Sequence, residues 1–197
     1  MARLPEADDD KILTLRVHYF AIAKLMKRHV DKFDPLTEDV ESVSRNYLLD
    51  WLRYRRLWLG MLYSVCEHFE HDVLETMPYR NRIRITRSGR DRLFADLMPN
   101  LEVVKGLIQL NGSALRTYRN YVFHRHHGDQ KQKGLSFVGN EDNLEWAAEL
   151  HRRLDEFFEG YWMTCLTIYY FENMKSAEIL RKFACDSDEE LETEDAD

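Results

Sequence analysis

Between Leu115 and Asp129 the chain reads LRTYRNYVFHRHHGD, a stretch dense in arginine and histidine. Arg119 is followed directly by Asn120 and, five positions on, by His124. His126 and His127 come next, with Arg116 and Arg125 alongside. These residue types suit cleavage of RNA by its own ribose 2′-hydroxyl. That reaction needs one group to take the hydroxyl proton, one to protonate the departing 5′-oxygen, and a cation for the charge that builds on phosphorus. Histidine titrates near neutrality and serves either proton transfer. Arginine pairs two phosphate oxygens with its planar fork and keeps its charge throughout. Two other readings compete. An arginine- and histidine-rich helix end is often a solvated terminus with cations at the negative end of the dipole. A zinc site from His124, His126, His127 and Asp129 would also use these residues, but the spacing matches no familiar ligand pattern, so no metal or other cofactor is expected.

The spacing constrains how the groups meet. Five residues turn through about 140° on a regular helix, so Arg119 and His124 do not share a face. Arg119 and His126 share one, and Asn120, His124 and His127 share another. Either the helix ends or distorts near His124, with Gly128 a suitable stop, or two faces meet a second copy of the chain.

The string Arg119-Asn120-Tyr121-Val122-Phe123-His124 resembles the R-(N/D/H)-x-x-x-H form of the Rx4-6H motif of HEPN domains. Arg119 to His126 also falls within the motif. The resemblance covers the motif closely and the helical body loosely. It implies an all-helical domain acting as a metal-independent ribonuclease, with two protomers bringing their motifs together. Arg119 would be the phosphate cation, His124 the proton-transfer group and Asn120 the residue that orients it, with Arg116 and His126 in support. Some HEPN groups carry an acidic residue in the second helix near the motif; Glu67 or Glu70 would match it. HEPN toxins silenced by a nucleotidyltransferase antitoxin usually carry a tyrosine two residues after the histidine, where this chain has His126, a departure from that subgroup. A role in defence or toxin–antitoxin conflict, with a neutralising antitoxin or regulatory partner, follows from the resemblance alone. The alternative is a non-catalytic helical RNA- or protein-binding module with a remnant motif.

The elements around the motif read as helices. Asp8 to Phe33 is expected to form the first, with Ile12, Leu15, Tyr19, Ile22, Met26, His29 and Phe33 on its apolar stripe and Asp8, Asp9 and Asp10 at its cap. His18 and His29 read as surface or partly buried residues. Asp34-Pro35-Leu36-Thr37 breaks the helix. A second long helix runs from about Ser42 to Met77. Tyr47, Trp51, Tyr54, Trp58, Met61 and Val65 form one stripe on it, and Leu48, Leu52, Leu59, Leu62, Cys66, Phe69 and Val73 another, which is the pattern of a central bundle helix. Glu67 and His71 stand four apart, as a surface pair would.

From Pro78 the chain reads PYRNRIRITRSGRDR, whose Arg80, Arg82, Arg84, Arg87, Arg90 and Arg92 form either a solvated connector or a patch that tracks phosphates without reading sequence. A short helix is expected over 91–98, a restart at Pro99, and an interruption at Asn111-Gly112-Ser113, with Ser113 capping the motif helix. Residues 128–140 read as a loop, carrying Lys131 and Lys133 as further RNA contacts and serving as a flap or a connector. From Glu141 to about Phe183 a heptad stripe of Leu144, Ala147, His151, Leu154, Phe158, Tyr161, Cys165 and Ile168 reads as bundle core, with His151 a hydrogen-bonded interior residue.

The 197 residues, 44% of them hydrophobic, suffice for one domain with a sizeable core. Net charge is −7, which looks wrong for a nucleic-acid binder. Eight carboxylates lie between Asp186 and Asp197, however, and without them the remainder carries +1. We therefore expect an all-α, up-and-down bundle of four to six helices over 1–185, followed by an acidic disordered tail over 186–197. Three scattered cysteines form no pair and suit the reducing cytoplasm. The polar start MARLPEADDDK is not a secretory signal, and no apolar run approaches a membrane span. The partners expected are RNA and a second copy of the chain.

Overall fold

The computed structural model describes residues 10–32, 45–74, 77, 94–123 and 136–191. Over these it is an all-α helical bundle, with no strand among the described residues. We number the helices α1 (Lys11–Thr14), α2 (Ala21–Asp31), α3 (Arg45–His68), α4 (Met98–Phe123) and α5 (Glu141–Leu191). A π-helical segment, Leu15–Phe20, joins α1 to α2, and another, Phe69–Leu74, continues α3. Successive helices pack as neighbours, α2 on α3, α3 on α4 and α4 on α5.

Asp10 starts the first helix. Its Oδ1 accepts from the Ile12 and Leu13 amides at 2.9 and 3.3 Å, and its Oδ2 accepts from the Tyr161 hydroxyl at 2.8 Å. One buried carboxylate thus caps α1 and ties it to α5. The π segment then alters the expected stripe. A wider turn moves Phe20 and Ala23 inward, and Ile22, expected in the core, is 44% exposed. Phe20 packs on Phe158 with ring centroids 5.0 Å apart, and Phe69 meets Phe157 at 5.3 Å. These rings join α1–α2, α3 and α5 into one core.

The inward heptad of α5 holds from Ala147 through Cys165. His151 sits among the apolar residues as expected, its Nδ1 accepting from the Trp58 indole N–H at 3.3 Å. Burial pushes its pKa down to about 4, so the imidazole is neutral near pH 7, with its proton on Nε2. Burial along α3 is uneven: Trp58, Leu59, Leu62, Val65 and Cys66 are inside, whereas Tyr47, Leu48 and Leu49 near its start are each at least 39% exposed.

Two expectations near the motif need correction. Residues 98–123 form one helix, with no break at Asn111-Gly112-Ser113. Pro99 lies in the first turn, where its missing N–H has no helical partner to lose. Asn111 bonds Asn143 on α5 at 3.0 Å, and Ser113 offers its carbonyl to the Thr117 hydroxyl rather than capping a new helix. The segment before α5 is also more than a connector. Phe137 is 3% exposed and stacks on Tyr118 at 5.4 Å, while Arg55 donates to the Val138 carbonyl at 3.2 Å, so residues 136–138 are anchored in the core. The break at 34–37 and the short helix's start at 91–93 lie outside the described residues. At the other end, α5 continues through Leu191, six residues into the acidic segment, and 192–197 are outside the described residues.

Candidate active-site groove

The motif helix α4 runs past α3 in the opposite direction. Phe123 lies over Gly60, where an added Cβ would come within 2.7 Å of the Phe123 Cζ. One turn further along α3, the Arg119 guanidinium sits 5.6 Å from the centre of the Tyr63 ring. Further on, the helices part to form a cleft of about 400 Å³. From α3 and its π-helical continuation it is lined by Tyr63, Cys66, Glu67, Glu70 and His71. From α4 come Ile108, Gln109, Gly112, Ser113 and Arg116. Spacing explains the sets. Positions 63, 67 and 70 recur at four and three along α3 and into its π-helical continuation, and 109, 112, 113 and 116 do so on α4, so each set forms one helical face.

The groups interact in a short chain. Arg119 donates to the Asn120 side-chain oxygen at 3.1 Å, which fixes how the two adjacent motif residues stand to each other. Its cation faces the Tyr63 ring. The Tyr63 hydroxyl lies 3.5 Å from Glu67 Oε1, a long hydrogen bond. Burial, then the Glu67 charge, pushes the Tyr63 phenol above its ordinary pKa, while Arg116 and Arg119 oppose the shift. Arg116, Glu67, Glu70 and His71 are all solvent-exposed, whereas Cys66 is buried and burial pushes its thiol pKa up, so it offers no thiolate at neutral pH.

Several expected site residues thus come together: Arg116, Arg119 and Asn120 from α4, and Glu67 and Glu70 from the α3 side. His124, His126, Lys131, Lys133 and the arginines Arg80, Arg82, Arg84, Arg87 and Arg90 lie outside the described residues, as do His127 and Asp129. Among the described residues no group of three or more His, Cys, Asp or Glu side chains is disposed to hold a metal ion. Reading the sequence missed Tyr63, Gln109 and Ser113. Tyr63 had a signal, since it stands four before Glu67 on the turn below the acidic pair.

No helix among the described residues is long and apolar enough to cross a membrane. Compared with protein-family models, curated proteins and solved structures, the chain matches none.

Proposed function

We propose that this protein is a metal-independent endoribonuclease of the HEPN type, cutting RNA by attack of the 2′-hydroxyl to leave a 2′,3′-cyclic phosphate. The observation that carries the reading is the juxtaposition across the α3–α4 groove. The motif's Arg119 and its neighbour Arg116 face Tyr63 and Glu67, so cations and a carboxylate from distant parts of the sequence share one groove. In this reading Arg119 holds the phosphate and stabilises the phosphorane. Asn120, bonded to Arg119, helps orient the site, and His124, directly after the Phe123 that packs on Gly60, transfers a proton. Arg116 and His126 support them, and Glu67 with Glu70 supplies the acidic residue of the second helix. The basic stretch Arg80–Arg90, with Lys131 and Lys133, adds phosphate contacts.

The active form is a homodimer joined near α4, which doubles the proton-transfer groups. Val103 and Leu110, seven apart on one face of that helix and 42% and 73% exposed, give α4 an apolar stripe open to a partner. A neutralising partner and a role in defence belong to the same proposal. Replacing Arg119 with alanine should cost roughly 10²–10³-fold in cleavage rate, and replacing His124 about 10²–10⁴-fold, with melting curves unchanged. A double variant that still cuts RNA like the wild type would refute the assignment and favour the rival reading, a binding module with a remnant motif.

A further inference from the structure

The α3–α4 cleft has two chemically different walls. Tyr63, Cys66, Glu67, Glu70 and His71 line one side, with two carboxylates among them. Glu67 is steadied by the Tyr63 hydroxyl at 3.5 Å, and both carboxylates are exposed to whatever enters. The α4 side brings Gln109, Ser113 and Arg116, all able to donate hydrogen bonds. An ionised carboxylate only accepts. The cleft therefore sets two acceptor-only carboxylates against an amide, a hydroxyl and a guanidinium across about 400 Å³, ample for a nucleobase with its sugar.

Among the four RNA bases, one matches that division. Guanine presents two adjacent donors, N1–H and the 2-amino group, which a single carboxylate can accept together. Its O6 and N7 are acceptors for an amide, a hydroxyl or a guanidinium. Adenine offers one amino donor beside an acceptor nitrogen, cytosine likewise, and uracil a single N–H between two carbonyls. Each would turn at least one acceptor toward Glu67. Single-stranded RNA is read in this way, with bases splayed from the strand and bonded on their Watson–Crick edges. Phosphate binding alone is a poorer fit, because two carboxylates beside Arg116 would repel an anion that made no base contact.

We propose that this cleft is a guanine-recognition subsite of the RNA groove, in which Glu67 accepts from N1–H and the 2-amino group, Glu70 reinforces it, and Gln109, Ser113 and Arg116 donate to O6, N7 and the adjoining phosphate. The inference rests on the ribonuclease reading for its source of guanine, a single strand of RNA. It places the base contacts of α4 within about one to three turns of Arg119, next to the motif.

The test uses the full chain and labelled 2′-O-methyl pentanucleotides, which bind but lack the attacking hydroxyl. UUGUU should bind about tenfold or more tightly than UUAUU, UUCUU or UUUUU, the discrimination expected of a bidentate contact. Inosine at the central position lacks the 2-amino group and should lose most of that preference. Glu67→Gln, and more fully Glu67→Gln with Glu70→Gln, should level the four affinities while the chain melts as before. Equal binding by the wild type, or a preference that survives the double substitution, overturns the proposal. So does tight binding of free guanosine monophosphate with no binding of the pentamers, which would make the ligand a nucleotide. Cleavage is scored separately. An intact preference in a chain that cuts no RNA would refute the nuclease reading and keep the subsite. Cutting without base preference at binding would do the reverse.

Discussion

Acid should loosen this bundle at one identifiable contact, the hydrogen bond from the Trp58 indole to His151 Nδ1. The bond requires that Nδ1 carry no proton. His151 is 8% exposed, and its pKa is pushed down to about 4, first by burial and then by the Lys27 charge, with Asp155 and Asp31 opposing. The unfolded value is about 6.5. Because the folded value is the lower one, the unfolded chain binds more protons between the two, and stability rises with pH there. The contribution is complete above about pH 6.5 and is lost as pH falls toward 4. Integration gives a loss of about 2 kcal/mol at pH 5 and about 3 kcal/mol at pH 4. Urea unfolding of wild type and His151→Gln at several pH values isolates this share, since other titrating groups cancel in the difference. The glutamine keeps an acceptor for Trp58 but cannot titrate. It should cost about 1–2 kcal/mol at neutral pH, and the gap should close or reverse toward pH 4. Parallel pH profiles for the two proteins, or an imidazole that titrates at its ordinary value by NMR, would show the reasoning to be wrong.

Further outcomes follow from the same packing. Asp10→Ala removes both the cap of α1 and the acceptor of the Tyr161 hydroxyl, and should lower stability by about 2–4 kcal/mol in thermal melts. Tyr161→Phe should cost less, about 1–2 kcal/mol. Phe137→Ala should cost about 3–4 kcal/mol by emptying its place between Tyr118 and Trp146, which a connector residue would not do. Gly60→Ala should displace Phe123 and slow RNA cleavage, whereas Gly106→Ala, with open space around it, should stabilise α4 by about 0.5–1 kcal/mol and leave cleavage alone. Deleting 186–197 should leave the melting temperature unchanged, because the last described core residue is Cys165.

The parts of the fold that the sequence made legible are those where one period runs unbroken. The α5 stripe from Ala147 to Cys165 and the α3 residues Trp58, Leu59, Leu62, Val65 and Cys66 are buried as their spacing implies. Legibility failed where tertiary contacts outweighed local preference. Asn111-Gly112-Ser113 has the composition of a turn, yet Asn111 finds its partner on α5 and the helix continues. The π segment at Leu15–Phe20 leaves no mark in composition, and it shifts which residues face inward. Phe137 sits in a polar, glycine-bearing segment, where one aromatic was easily taken for loop. At the site, the arginines and the acidic pair were visible as residue types. Their meeting across a groove was not, because it depends on how α3 and α4 pass each other.

Metal-independent cleavage by this chain can be read by incubating it at full length with end-labelled RNA in excess chelator and identifying the new 3′ ends. We expect cleavage that EDTA does not touch, products ending in 2′,3′-cyclic phosphate, no cut where the scissile ribose is 2′-deoxy, and loss of all cutting in Arg119→Ala and His124→Ala. Intact RNA under all conditions, or cleavage that EDTA abolishes and a divalent metal restores, would contradict it.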